Sequence, residues 1–159
     1  MGETRRSPSL TRIISTDYPA MLAVLFPVVA WGIYAALRIF GRLPDRHGRM
    51  VSSAEAGPFF FYVGLAALVI GVPLLVMRVR TLRGAFSRGI ETEGLITNLY
   101  FHRDRGRVEY TYEYQGRTYK RRNAINRNNR TRKLVMGTKT VVVVDPDKPE
   151  RAFIKALYL

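Results

Sequence analysis

The sequence predicts an α+β membrane protein: a two-helix transmembrane hairpin followed by a small antiparallel β-barrel or sandwich domain of about five strands. The first observation behind this prediction is a pair of apolar runs, each 20 residues long and free of charge. The second is a change from a helical to an alternating pattern near residue 90. With 159 residues in all, the chain has room for one folded unit outside the bilayer.

The two apolar runs are Tyr18–Leu37 and Pro58–Met77. About 20 helical residues cross a hydrocarbon core about 30 Å thick, so we predict transmembrane helices at 18–40 and 58–88, the second with a juxtamembrane extension that stops at Gly89. Two buried core helices would need more covering protein than this chain supplies. A cleaved signal peptide would have a shorter apolar run, so the first helix is predicted to be an uncleaved anchor.

The segments outside the spans are a basic N-terminal tail, a short loop and a β domain, at residues 1–17, 41–57 and 89–159. Seven arginines flank the spans on the side of the two termini: Arg5, Arg6, Arg12, Arg78, Arg80, Arg83 and Arg88. Four flank the loop between the spans: Arg38, Arg42, Arg46 and Arg49. The positive-inside rule therefore predicts cytoplasmic termini, with the loop outside.

Small residues are expected where the two spans pack against each other. Aligning the midpoints of the two runs as an antiparallel hairpin places Gly32 level with Gly64, and Ala23 level with Gly71. Helix backbones approach closely in membranes where side chains are small or missing. We therefore expect these four residues to form the helix–helix contact.

The alternating pattern is clearest at Val108 to Tyr114, where valine and tyrosines fall on one face and polar residues on the other. Gln115-Gly116 is typical of a two-residue hairpin turn. This register pairs Tyr112 with Tyr119, Tyr110 with Arg121, and Glu109 with Arg122. Further strands are predicted at Gly94–Phe101, Thr138–Val144 and Ala152–Leu159, with Asp145 to Pro149 as a rigid turn.

Four short motifs of this region resemble a known family. They are Glu93-Gly94-Leu95-Ile96, the YTYEYQGRTY hairpin, Gly137 to Val143, and Asp145-Pro146-Asp147-Lys148-Pro149. Their order is similar to that in the family called domain of unknown function 3592. Val144 stands where the family usually has tyrosine. The resemblance implies a bacterial membrane protein with one or two spans and a small β domain, and it implies no catalytic residues.

An enzyme is not predicted. The chain has no cysteine, so thiolate chemistry and cysteine-based metal sites are excluded. Its two histidines, His47 and His102, lie in different segments, and neither has carboxylates at metal-ligand spacing. No phosphate-binding glycine loop or nucleophile motif is present. We expect no cofactor and no metal.

The net charge of +14 favours anionic partners. In the stretch from Tyr110 to Lys133 we expect the tyrosines to pack the β domain, and the basic residues to face anionic lipid headgroups or acidic subunits of a membrane complex. The candidate lipid- or partner-binding residues are Arg78, Arg80, Arg83, Arg121, Arg122, Arg127, Arg130, Arg132 and Lys133. The alternatives are a merely solvated loop and, less favoured, a single-stranded nucleic-acid surface with tyrosine stacking. The predicted function is thus a noncatalytic accessory or docking module, free-standing or within a larger membrane complex.

Overall fold

The computed structural model describes residues 7–159, so the tail arginines Arg5 and Arg6 lie outside the described residues. Its helices are α1 Leu10–Thr16, α2 Tyr18–Phe40, α3 Ser53–Arg88 and α4 Lys155–Tyr158, with a short 3-10 helix at Thr131–Lys133. Its strands are β1 Arg42–Pro44, β2 Met50–Ser52, β3 Ile90–His102, β4 Arg105–Tyr114, β5 Arg117–Asn126, β6 Lys139–Val144 and β7 Ala152–Ile154.

The chain divides into two compact units. Leu22–Val76 forms one, which we call the helical unit. Residues 7–21 join Met77–Leu159 in the other, which we call the β unit. The β unit therefore takes in residues from before the first apolar run as well as those after the second.

The helical unit contains most of the apolar part of α2 and α3, linked by the antiparallel β1–β2 hairpin. Both helices are long and apolar enough to cross a membrane, with mean hydropathies of 2.1 and 2.5 in their most apolar windows. Only 22% of the α2 window and 11% of the α3 window is buried, whereas a helix in the core of a soluble domain is mostly buried. Most of the apolar surface of these helices is thus left uncovered by the described chain.

Helix α3 begins at Ser53, five residues before the predicted start at Pro58. The Ser52 hydroxyl accepts a hydrogen bond from the backbone N–H of Glu55 at 3.3 Å. In return, Glu55 Oε2 accepts one from the backbone N–H of Ser52 at 2.9 Å. This reciprocal capping box starts the helix ahead of the apolar run, and Pro58 lies within the helix.

The small residues of the two helices make one of the two expected contacts. A Cβ on Gly71 would lie 2.7 Å from the carbonyl oxygen of Ala23, so these two backbones approach as predicted. Gly64 instead faces the Trp31 ring, and a Cβ on Gly64 would lie 2.9 Å from the Nε1 atom of that ring. Nothing lies within 4 Å of the corresponding position on Gly32. The predicted partner of Gly64 is therefore corrected to Trp31, whose indole fills the space that the missing side chain leaves.

The β unit holds one five-stranded antiparallel sheet in the order β5-β4-β3-β6-β7. The central hairpin has the predicted register: Tyr112 pairs with Tyr119, and Glu109 with Arg122. Its turn residues Gln115 and Gly116 have φ values of 50° and 72°, the left-handed backbone that a tight two-residue hairpin turn requires. The sheet is nearly closed, because the hydroxyl groups of Tyr110 and Tyr112 on β4 reach backbone carbonyls on and just before β7.

The end of the chain differs from the prediction of a strand at Ala152–Leu159. Strand β7 stops at Ile154, and α4 follows at once. The helical turn buries the neighbouring residues Leu157 and Tyr158 together, which a strand would have sent to opposite faces. The Tyr158 ring lies 5.8 Å from that of Phe86 and 6.0 Å from that of Phe153, centroid to centroid.

Helix α1 was not predicted, because it lies in the segment interpreted as a basic tail. Ser9 caps its start by accepting a hydrogen bond from the backbone N–H of Arg12 at 3.3 Å. Ile13 is fully buried, as are Leu82 of α3, Val108 of β4 and Val142 of β6. The core of the β unit is thus formed between the sheet, the last turns of α3 and the short helices α1 and α4.

Candidate functional site

The tyrosines of β4 are structural residues. The Tyr110 hydroxyl donates to the carbonyl of Ala152 at 2.5 Å and accepts from Asn123 Nδ2 at 3.2 Å. The Tyr112 hydroxyl donates to the carbonyl of Pro149 at 2.5 Å. Both phenols therefore reach from β4 to the far edge of the sheet, and they satisfy carbonyls on and just before β7. The predicted packing role of these tyrosines agrees with this geometry.

Burial raises the pKa of these phenols. The pKa of Tyr112 rises to about 12, and the pKa values of Tyr110 and Tyr158 rise further. In each case the main cause is removal of the phenolate from water, and the negative charge of Asp17 adds to the effect at Tyr158. All three phenols are thus held un-ionised well into the alkaline range.

We expect the β unit to lose stability above the ordinary tyrosine pKa of 10.0. The unfolded chain releases these protons near that pH, whereas the folded chain keeps them until the raised pKa values are reached. Between the two, the folded state binds more protons, so the free energy of unfolding falls as pH rises. Melting of the full chain at about pH 9 and about pH 11 measures this loss, and Tyr112→Phe should reduce it. An equal drop in melting temperature between the two pH values in wild type and variant would contradict the assignment to Tyr112.

A buried carboxylate connects three segments of the β unit. Asp17 stands between α1 and α2 and is fully buried. Arg78 Nη2 donates to Asp17 Oδ2 at 2.5 Å, and Arg78 Nε lies 3.0 and 3.1 Å from the two carboxylate oxygens. The Tyr158 hydroxyl donates to Oδ2 at 3.2 Å, and the backbone N–H of Ala20 donates to Oδ1 at 3.1 Å. The Arg78 guanidinium also lies 5.3 Å from the centroid of the Phe153 ring. Arg78, predicted as a docking residue, is therefore engaged inside the β unit.

The segment Asn126 to Lys133, which we call the basic loop, has a fixed backbone. Asn128 Oδ1 accepts from the backbone N–H groups of Arg130 and Thr131 at 3.0 and 2.9 Å. The Thr131 hydroxyl donates to the carbonyl of Asn126 at 2.7 Å. The side-chain amides of Asn126 and Asn128 donate to the carbonyl of Ser15 at 3.2 and 3.0 Å, near the end of α1. Uncharged polar side chains thus fasten the loop to α1 and leave its cations for other contacts.

Four arginines line one cavity at this place. The cavity has a volume of about 500 Å³, and its basic lining residues are Arg12, Arg127, Arg130 and Arg132. Thr11, Ser15 and Asn128 add hydroxyl and amide groups. Among the described residues, no Asp or Glu lines the cavity. Arg12 also donates to the carbonyl oxygen of Leu159 at 2.5 Å, which orders its side chain.

The other predicted docking residues lie apart from this cavity lining. Arg80 and Arg83 are exposed on α3, Arg121 and Arg122 are exposed on β5, and Lys133 is exposed at the end of the basic loop. His47 and His102 are also exposed. Over residues 7–159 the structure contains no group of three or more histidine, aspartate or glutamate side chains that could hold a metal ion.

The fold and this surface define a small β domain preceded by two long apolar helices. Residues 90–157 match the family model described as domain of unknown function (DUF3592). This match confirms the family resemblance for the C-terminal β region. Comparison with curated proteins and with solved structures finds no match.

The Asp17–Arg78–Tyr158 cluster was missed by the sequence analysis. A signal was present, since Asp17 directly precedes the first apolar run and Arg78 directly follows the second. In an antiparallel helix pair these two positions belong to the same end, where a carboxylate and a guanidinium can meet. For Tyr158 no comparable signal was present, because the segment Ala152–Leu159 was predicted to be a strand.

Proposed function

We propose that the chain is a noncatalytic integral membrane protein in which α2 and α3 form a transmembrane hairpin and the β unit is an accessory docking module. In this proposal the basic loop binds anionic lipid headgroups. The observation that carries it is the cavity of four arginines, held on a fixed backbone with no carboxylate in its lining among the described residues.

Support for the hairpin comes from the uncovered apolar surface of both helices. Large apolar side chains point outward along them, including Phe26 at 63% exposed, Val69 at 65% and Ile70 at 61%. Exposing such a surface to water would be costly, whereas lipid tails accommodate it. The excess of arginines next to the two termini supports a cytoplasmic β unit. A bacterial cytoplasmic membrane is part of the proposal only because the family resemblance implies it.

Support for headgroup binding comes from the geometry of the arginines. A planar guanidinium offers two parallel N–H donors to phosphate oxygens, and several of them around one cavity can share an anionic headgroup. Each basic residue near an anionic membrane surface contributes about 1 kcal/mol. Asn128 and Thr131 pre-form the loop, so binding does not have to order its backbone.

The test uses the full chain with a single cysteine at Asn129, which is exposed in the basic loop. Because the natural sequence has no cysteine, a fluorophore can be attached there alone. In nanodiscs, brominated anionic lipids should quench this label more strongly than brominated neutral lipids. The difference should fall as salt rises, because surface charges are screened over about 10 Å at 0.1 M salt.

Replacing Arg127, Arg130 and Arg132 with glutamine should remove most of the lipid-dependent difference. The matched control replaces Arg42, Arg46 and Arg49 of the helical unit with glutamine. It removes the same number of positive charges as the loop variant and should leave the quenching unchanged. Equal quenching by both lipids in the wild type would contradict headgroup binding. Recovery of an acidic membrane protein with the wild type, and not with the loop variant, would instead assign the loop to a subunit contact.

A further inference from the structure

A second group of basic residues lies between the two edges of the nearly closed sheet, at a place that we call the seam. The sheet ends in two edge strands, β5 and β7. A groove of about 660 Å³ is lined by Arg117, Tyr119 and Arg121 of β5, and by Lys148 and Arg151 of the turn before β7. Its residues belong to the β unit and do not overlap with the lining of the arginine cavity at the basic loop.

The structure around this groove is well defined. The Tyr112 hydroxyl crosses the seam to the carbonyl of Pro149, which lies in the groove lining. The Tyr119 ring stacks on Tyr112 with centroids 5.6 Å apart and planes at 13°. The turn is closed by backbone hydrogen bonds, from Lys148 N–H to the carbonyl of Asp145 and from Arg151 N–H to the carbonyl of Lys148. Both sides of the groove are therefore held in place before any ligand arrives.

The charges of the groove are unbalanced. Three arginines and one lysine face it, against the single carboxylate of Glu150. Among the ion pairs found in residues 7–159, none involves these four cations. Like charges held close together repel, and a multiply charged anion relieves that repulsion.

We infer that this groove binds a ligand that carries phosphate groups. A ligand with one carboxylate would neutralise only a single charge, whereas the charge of a diphosphate or phosphomonoester matches the excess of positive charge at the seam. Guanidinium groups bind phosphate oxygens in pairs, and the Tyr119 hydroxyl is a further donor. A volume of about 660 Å³ lies in the range of small-molecule sites. The phosphate can belong to a soluble molecule or to a lipid headgroup.

The experiment is a calorimetric titration of the full chain with inorganic pyrophosphate, in nanodiscs of neutral lipid. In the loop variant of Arg127, Arg130 and Arg132, we expect saturable one-to-one binding, because the arginine cavity, itself a candidate site for phosphate oxygens, has then lost most of its charge. The double variant Arg121→Gln with Arg151→Gln should raise the Kd at least about tenfold, because charge-assisted hydrogen bonds to phosphate are lost, while melting stays unchanged. The control Arg103→Gln with Arg105→Gln removes two exposed arginines outside the groove lining and should leave the Kd within about twofold.

Nanodiscs containing phosphatidic acid separate the two sources of phosphate. If this lipid weakens pyrophosphate binding in the wild type but not the residual binding of the groove variant, the headgroup occupies the groove. If it has no effect, the ligand is a soluble phosphate compound. The loop variant of Arg127, Arg130 and Arg132 should keep pyrophosphate binding in either case.

Three results would overturn the inference. They are the absence of saturable binding at millimolar pyrophosphate, an equal loss of affinity in the groove and control variants, and groove-dependent binding of single-stranded RNA without binding of pyrophosphate. The last would assign the seam to a nucleic-acid backbone.

Discussion

Replacing Asp17 with alanine is expected to destabilise the β unit by about 3 to 5 kcal/mol, the largest effect of any single substitution proposed for this chain. The change leaves the Arg78 guanidinium without its carboxylate in a half-buried place, and it also removes the acceptor for Tyr158 and the cap of α2. Thermal or chemical unfolding of the full chain, followed by near-ultraviolet signals of the tyrosines, measures the loss.

The matched control for this substitution is Asp147→Ala. Asp147 also pairs with an arginine, Arg88, at 3.1 Å, but both side chains are about two-thirds exposed. Exposed pairs contribute less than about 1 kcal/mol, so this variant should unfold almost as the wild type does. Similar losses for the two variants would show that the burial of Asp17 does not matter, and this part of the account would fail.

Replacing Tyr112 with alanine is expected to cost about 2 to 4 kcal/mol. The residue is only 2% exposed, its ring stacks on Tyr119, and its hydroxyl binds the Pro149 carbonyl across the seam. The substitution thus opens a cavity and releases the turn before β7. Unfolding of the full chain in denaturant, with comparison of midpoints and slopes, gives the change in free energy.

Two further variants show where this loss of stability comes from: the first separates the hydrogen bond from the ring, and the second is an exposed control. Tyr112→Phe keeps the ring and removes the hydrogen bond, so about 1 kcal/mol is expected. Tyr100→Ala removes a tyrosine that is 62% exposed, and the stability should change by less than about 0.5 kcal/mol. A Tyr112→Ala variant as stable as Tyr100→Ala would contradict the structural role of the β4 tyrosines.

Local patterns in the sequence predicted the central hairpin well. The alternation from Val108 to Tyr114 gave the inward face, and Gln115-Gly116 set the turn, so the pairing of Tyr112 with Tyr119 followed. The end of α3 at Arg88 was also predicted, because Gly89 interrupts the helical pattern. These features depend on neighbouring residues in the sequence.

The features that were missed depend on contacts between distant segments. Helix α1 is supported by Asn126 and Asn128, more than 100 residues away in the chain. Likewise, α4 forms where Tyr158 can reach Asp17. Neither segment carries enough periodic residues to indicate a helix by itself, since both are under eight residues long.

The candidate site was predicted in part. The cations of the basic loop were evident from composition, but their assembly with Arg12 depends on where α1 lies. Arg78 had the same sequence signature as Arg80 and Arg83, and only its partner Asp17 distinguishes it. A fragment that starts at residue 88 would lack both Asp17 and Arg78, so the full chain is the appropriate material for the experiments proposed above.

The central claim, a membrane hairpin that keeps the β unit in the cytoplasm, is tested most directly by cysteine labelling in intact cells. Single cysteines are placed at His47, exposed in the loop between the apolar helices, and at Asn129, exposed in the basic loop. An impermeant reagent should label His47→Cys at once, and should label Asn129→Cys only after the cells are permeabilised. Labelling of Asn129→Cys in intact cells, or equal labelling at both positions, would contradict the account.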